Sequence, residues 1–133
     1  MVKGEKPNKI LIVDDDEFVC NIYEKSFKEE GVETETVHSG KEMLERMRKE
    51  DKPEMVVLDI FMPEMNGFEA LESAHKENLL DRSIVLILSN HADQIAQEKA
   101  AKLGAKKFIV KSSLLPTDII SEVMNTYQEE KIP

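Results

Sequence analysis

The 133-residue sequence predicts an α/β fold, a doubly wound parallel sheet with helices on both faces, and three observations predict it. Short apolar runs alternate with longer stretches of helical period along the chain. The run 55–58 is apolar throughout, as a central strand covered on both faces is. The length suits one hydrophobic core and not two. Strict alternation of strand and helix then calls for right-handed crossovers.

Each element has a local reason. Residues 9–13 form a strand feeding a helix over about 16–30, where Val19, Ile22, Tyr23 and Phe27 recur at spacings of three and four. Gly31 sits where a left-handed residue ends such a helix. Residues 34–37 give the second strand. Ser39 and Glu42 form a Ser-x-x-Glu capping box ahead of Met43, Leu44 and Met47, which starts a second helix that Pro53 stops. After the third strand and a turn at 63–67, a helix carries Phe68, Leu71 and Ala74, and 84–88 is the fourth strand. A fourth helix bears Ile95, Ala96, Ala100 and Leu103 and ends at Gly104, and 107–110 is the fifth strand. The last helix opens near Pro116 and buries Ile119, Ile120, Val123, Met124 and Tyr127. The tails, 1–8 and 128–133, are polar and expected to fray. One domain is expected over 1–133, with its core at about 8–128.

Charge narrows the function. With 18 basic and 27 acidic residues the net charge is −9, which repels phosphate backbones and anionic lipid headgroups. Direct binding to nucleic acid or membrane is disfavoured. The lone Cys20 allows no internal disulfide, and no apolar run is long enough for a membrane span nor does a charged-then-apolar leader open the chain, so a cytoplasmic location is expected. Cys20 reads as an inert thiol and the seven methionines as core filler. His38, His75 and His91 lack partners at zinc-ligand spacing. No glycine-rich phosphate-loop pattern supports nucleotide binding.

Sheets of this kind place ligands beyond the carboxyl ends of their strands. There the sequence puts Asp14 and Asp15 after the first strand, Asp59 after the third, Ser89 after the fourth and Lys111 after the fifth. Strand-end aspartates are also common turn formers, and Asp16 reads as a helix-start residue. Lys111 alone would read as a surface lysine, and Ser89 alone as a helix cap; only their common register makes a site. Two carboxylates about 4 Å apart repel by about 4 kcal/mol at an effective dielectric near 20. Either one carboxyl takes up a proton, or Lys111 and a bound metal neutralise the group. A few carboxylates completed by water suit Mg²⁺ better than Ca²⁺. A metal beside a carboxylate, facing a hydroxyl and an ammonium, can hold a phosphoryl group, with Asp59 as nucleophile.

The runs Ile10-Leu11-Ile12-Val13-Asp14-Asp15 and Val57-Leu58-Asp59-Ile60-Phe61-Met62-Pro63-Glu64-Met65-Asn66-Gly67, with Ser89 and Lys111 in register, resemble the receiver domain of two-component response regulators over nearly the whole chain. The resemblance implies a flavodoxin-like (βα)5 sheet in the order 2-1-3-4-5. It implies that Asp59 accepts phosphate from a phosphohistidine on a sensor histidine kinase or phosphotransfer protein. Asp15, Asp59 and the backbone carbonyl of Phe61 would bind Mg²⁺ directly, with Asp14 helping through water. Ser89 and Lys111 would contact the phosphoryl oxygens, and Phe108 falls at the family's aromatic switch position. The implied output face is the fourth helix, fifth strand and fifth helix, acting on a downstream protein target as a monomer or a weak phosphorylation-dependent dimer. The implied protein is a switch, and not an enzyme beyond its own phosphorylation and dephosphorylation.

The sequence departs from the family pattern in three places. Ser89 stands for the commoner Thr, and Asn90 follows where a small Ala is common. Ser112 follows Lys111 where the family usually has a cis-joined Pro; a cis bond before Ser would cost about 2.5 to 4 kcal/mol, so a trans bond is expected, with the lysine tip adjusting. By the same resemblance, Phe61 and His91 fall at positions that in the family flank the path of the hydrolytic water, and the bulky ring at the first predicts a long-lived phosphoaspartate. Two rivals stand beside the switch. A haloacid-dehalogenase-type phosphatase finds its spacing in Asp14-x-Asp16, but Glu17-Phe18 lacks the expected hydroxyl residue and the chain has no room for a cap domain. A pseudo-receiver would keep the fold as a docking module without cycling phosphate. Ending soon after the fifth helix, the chain is expected to act by protein contact or to be a receiver excised from a longer protein.

Overall fold

The computed structural model describes residues 4–90 and 93–131. Five parallel strands, β1 (Lys9–Val13), β2 (Glu33–Val37), β3 (Met55–Leu58), β4 (Ile84–Ser89) and β5 (Lys107–Val110), lie in the order β2-β1-β3-β4-β5. Between and after them run α1 (Glu17–Glu29), α2 (Gly40–Met47), α3 (Gly67–Lys76), α4 (Gln94–Lys102) and α5 (Pro116–Lys131), with a 3₁₀ turn at Lys111–Ser113. The expected doubly wound flavodoxin-like sheet, order included, is the one observed.

The apolar strands alternate faces even where their sequence does not alternate. Leu11 and Val13, Val56 and Leu58, and Val85 and Ile87 join one core with residues of α2, α3 and α4. Ile10 and Ile12, Met55 and Val57, and Leu86 and Leu88 join a second cluster with α1 and α5. The one core expected from the chain length is thus corrected to two clusters, one on each face of the sheet that divides them. A pleated strand covered on both sides must be apolar at every position, which is why these runs carry no period of two.

Local chemistry sets most boundaries. Asp16 caps α1, its carboxylate accepting from the Phe18 and Val19 amides at 3.0 and 3.2 Å. Gly31 and Gly104 hold φ of +80° and +93° just past α1 and α4, where a side chain would be strained. Several expectations are corrected. Ile22 is 37% exposed and Ile95 79%, so neither belongs to the core, and Cys20 takes the inward place beside Tyr23 and Phe27. The Ser39–Glu42 box is displaced: Ser39 accepts from the Glu42 amide, but the Glu42 carboxylate accepts from the His38 amide at 2.8 Å and not from Ser39. A reciprocal box forms instead at Asn66 and Glu69. Helix α2 stops at Met47, well before Pro53, because Arg48 to Lys52 offer no apolar side chain to bury. The described parts of the tails are anchored. The Asn8 amide donates to Glu54 at 2.6 Å, Gln128 to the Glu5 carbonyl at 3.3 Å, and Lys131 pairs with Glu54 at 3.0 Å.

Arg46, buried on α2, makes the main ion pair outside the site. Its Nε and Nη2 donate to Glu35 of β2 at 2.7 and 3.2 Å, and Nη2 also donates to the Asp51 carbonyl. The guanidinium, helped by Lys9 and opposed by burial, holds the Glu35 carboxyl down at about 2. A depressed carboxyl stabilises the fold above its unfolded pKa and loses that contribution as pH falls toward the folded one. Glu35→Gln is therefore expected to lower the urea midpoint at pH 7. The gap to the parent should close as pH falls through the glutamate range toward about 2; a constant gap would mean the pair contributes nothing by charge.

Candidate acidic phosphoryl site

Register brings the acidic residues together. Val13 of β1 pairs with Leu58 of β3, so Asp14 and Asp59 leave adjacent strands side by side. The Asp59 amide donates to the Val13 carbonyl at 2.9 Å and the Asp14 amide to the Val37 carbonyl at 3.1 Å, extending the ladder by one rung into the site. Ser89 is the last residue of β4, fully buried, and pairs with Val110 directly before Lys111. One carboxylate oxygen each from Asp14, Asp15 and Asp59 lie within 4.8 Å of one another. Asp14 is buried, Asp59 partly so, and Asp15 exposed.

Lys111 is the counter-charge. Its Nζ donates to Asp14 Oδ2 at 2.5 Å and lies 3.7 Å from Asp59 Oδ2. Burial pushes the Asp59 carboxyl up; Lys111 opposes this, Asp14 adds to it, and the Phe61 and Ile60 amides pull back, leaving it above the usual aspartate range. Burial also opposes charge on Lys111, but its bond to Asp14 and its attraction to Asp59 together raise it. The ammonium thus stays charged while one lysine faces three carboxylates. A further cation is what the electrostatics ask for, and an all-oxygen donor set fits a hard divalent ion.

The turn after Asp59 is built around Gly67. A Cβ there would lie 2.5 Å from the Asp59 carbonyl oxygen, and the Gly67 amide donates to the Ile60 carbonyl at 2.7 Å. Asn66 then starts α3 with a capping box not among the expected ones, although Asn-x-x-Glu in the sequence is its signal.

All five sequence-derived residues, Asp14, Asp15, Asp59, Ser89 and Lys111, lie at this edge. Among the described residues no peptide bond is cis, so Lys111–Ser112 is trans as expected, and the lysine tip still reaches the carboxylates of Asp14 and Asp59. Phe108 is half-buried, packed on the core shared with α2, α3 and α4, and pairs with Ile87, two residues before Ser89 on the same face. The Phe61 ring is 56% exposed. His91, its expected companion, lies outside the described residues. Burial, then the charge of Asp14, pushes the Cys20 thiol up to about 12, which keeps it inert at neutral pH. No second cluster of three metal-ligating side chains occurs among the described residues.

Comparison with known proteins identifies the arrangement. Residues 10–123 match the family model of the response regulator receiver domain. The chemotaxis protein CheY of Halobacterium salinarum is 35% identical over 118 residues, covering 87% of this chain and 96% of its own; CheY of Thermotoga maritima is 36% identical over 104 residues, covering 77% and 84%. The crystal structure of a CheY-like receiver domain protein from Methanospirillum hungatei superposes with a TM-score of 0.83 at 27% identity, covering 95% of this chain and 98% of the other. Other curated relatives are longer, and the chain spans 22% and 42% of two of them. Receiver domains are signalling switches of two-component systems whose general function is phosphorylation-dependent, and they generally bind Mg²⁺ at an acidic pocket. With the sheet order, the acidic edge and the family match in agreement, this chain belongs to the response regulator receiver domain family.

Proposed function

We propose that Asp59 is the phosphoacceptor of this receiver. An Asp59 oxygen attacks the phosphorus of a phosphohistidine on a sensor histidine kinase or phosphotransfer protein. The phosphorus–nitrogen bond breaks, the leaving imidazole keeps the electron pair and takes a proton from water, and an acyl phosphate results. One observation carries this reading: three carboxylates converge within 4.8 Å while a single half-buried lysine pairs with two of them. Asp15, Asp59 and the Phe61 carbonyl would hold Mg²⁺, with Asp14 acting through water. When bound, the ion supplies the positive charge the cluster lacks and neutralises the oxygens of the arriving group. Lys111 would give up part of its hold on Asp14 to pair with the phosphoryl oxygens, and the Ser89 hydroxyl would donate to them. That pull on β4 reaches Phe108 across the Ser89–Val110 and Ile87–Phe108 pairs, and so the face of α4, β5 and α5 that meets a downstream protein. The chain is read as one receiver unit with its core at about 8–128, working in the cytoplasm. Among the described residues no helix is long and apolar enough to cross a membrane.

Incubation with a small phosphodonor and Mg²⁺ is expected to add one phosphoryl mass, and chelation of the metal to prevent it. No mass gain under either condition would leave only a docking module that keeps the fold. The Phe61 ring, two residues past the acceptor, is proposed to obstruct the hydrolytic water. Phe61→Ala should shorten the half-life of the mass gain several-fold, and an unchanged half-life would remove the ring from that role.

A further inference from the structure

At the edge of this site the Asp14 carbonyl is bonded by side chains and not by the sheet. The Asp14 amide continues the ladder to Val37, whereas its carbonyl oxygen receives His38 Nδ1 at 3.0 Å and the Cys20 thiol at 3.4 Å. A carbonyl accepts only, so the imidazole must carry its proton on Nδ1 for this bond. His38 is itself anchored, its amide donating to the Glu42 carboxylate in the first turn of α2. The peptide joining Asp14 to Asp15 is thus gripped from α1 on one side and from the β2–α2 junction on the other. That peptide sets where the two carboxylates point. The Asp14 side chain is fixed further by the Asp16 amide, which donates to Oδ1 at 3.0 Å, and by Lys111 on Oδ2.

We infer that His38 is a positioning residue for the acidic site: through the Asp14 carbonyl it holds the Asp14–Asp15 peptide in the orientation in which both carboxylates face Asp59. The inference rests on the metal-binding reading above. Groups that orient metal ligands from behind typically change affinity 10- to 100-fold when removed. His38→Leu fills similar space without a donor, whereas His38→Asn places an amide N–H near the position of Nδ1.

The test is calorimetric titration of Mg²⁺ into the parent, His38→Leu and His38→Asn, with thermal melts to verify folding, together with ¹⁵N NMR of the metal-free proteins. Expected are about tenfold weaker Mg²⁺ binding in His38→Leu, recovery to within about threefold of the parent in His38→Asn, an Nδ1-protonated tautomer at His38 in the parent, and shifted Asp15 and Asp16 amides in the leucine variant alone. Parent-like affinity in His38→Leu, or equal losses in both variants, would overturn the inference. If the parent binds no Mg²⁺, the metal reading fails by itself, and the metal-free spectra still decide: an Nε2-protonated imidazole, or Asp15 and Asp16 amides unmoved in His38→Leu, sinks the positioning role. The tautomer of the parent decides equally if the leucine variant does not fold.

Discussion

Asp59→Asn is expected to take up no phosphoryl group from a small donor in the presence of Mg²⁺, as measured by intact mass. An amide nitrogen is no nucleophile at phosphorus, and the neighbouring acids are poor substitutes. Asp14 has one oxygen on Lys111 and the other on the Asp16 amide, and Asp15 is exposed to water. A retained mass gain, mapped to either neighbour, would overturn the assignment. The same variant should be more stable than the parent in metal-free buffer at neutral pH. Burial holds the Asp59 carboxyl above the usual aspartate range, with the charge of Asp14 adding to the shift. A raised acid pKa means the folded state binds the proton more tightly, so stability falls as pH climbs from the unfolded value through the folded one. A neutral side chain removes that loss, and the difference should fade below the aspartate range.

Lys111→Ala is expected to destabilise the metal-free protein by about 3 kcal/mol, because removing one partner of a buried charge cluster leaves the others uncompensated. Asp14 loses its 2.5 Å partner, and Asp59 loses the attraction that offsets its burial. Urea unfolding with and without millimolar Mg²⁺ measures this. The ion should restore part of the loss, since a ligand of the folded state alone contributes about 2.7 kcal/mol at a hundred times its Kd. Phosphoryl uptake should fall as well, even with the metal present. A urea midpoint unchanged from the parent would show that the ammonium does not compensate the carboxylates.

The backbone of this site was legible because parallel-sheet geometry turns strand ends into neighbours. With the strands at 9–13 and 55–58 adjacent, as the family resemblance implies, Asp14 and Asp59 emerge side by side, and Ser89 and Lys111 follow from the same edge. Cap chemistry was legible where one residue decides it, as at Asp16, Gly31 and Gly104. It was not legible where two acceptors compete. Glu42 bonds the amide of His38 and not that of Ser39, a choice set by the path of the β2–α2 junction. Ile22 and Ile95 fit helical spacing yet face water, since a stripe on a helix says nothing of how far the sheet extends to cover it. Nor could spacing show that His38 and Cys20 meet the same carbonyl, a contact made only when the β1–α1–β2 crossover returns residue 38 to the end of β1.

The ladder that joins the Asp59 amide to the Val13 carbonyl has a bearing on folding. A slip of β3 against β1 by one residue would turn every side chain on it to the opposite face, and the Asp59 carboxylate with them. A collapsed chain with native helices but an unsettled sheet would therefore present scattered aspartates and no acidic cluster. If Asp59 is the phosphoacceptor proposed above, uptake of phosphate from a small donor is an assay of strand alignment at the centre of the molecule, and during refolding it should emerge only once β1 and β3 are in register.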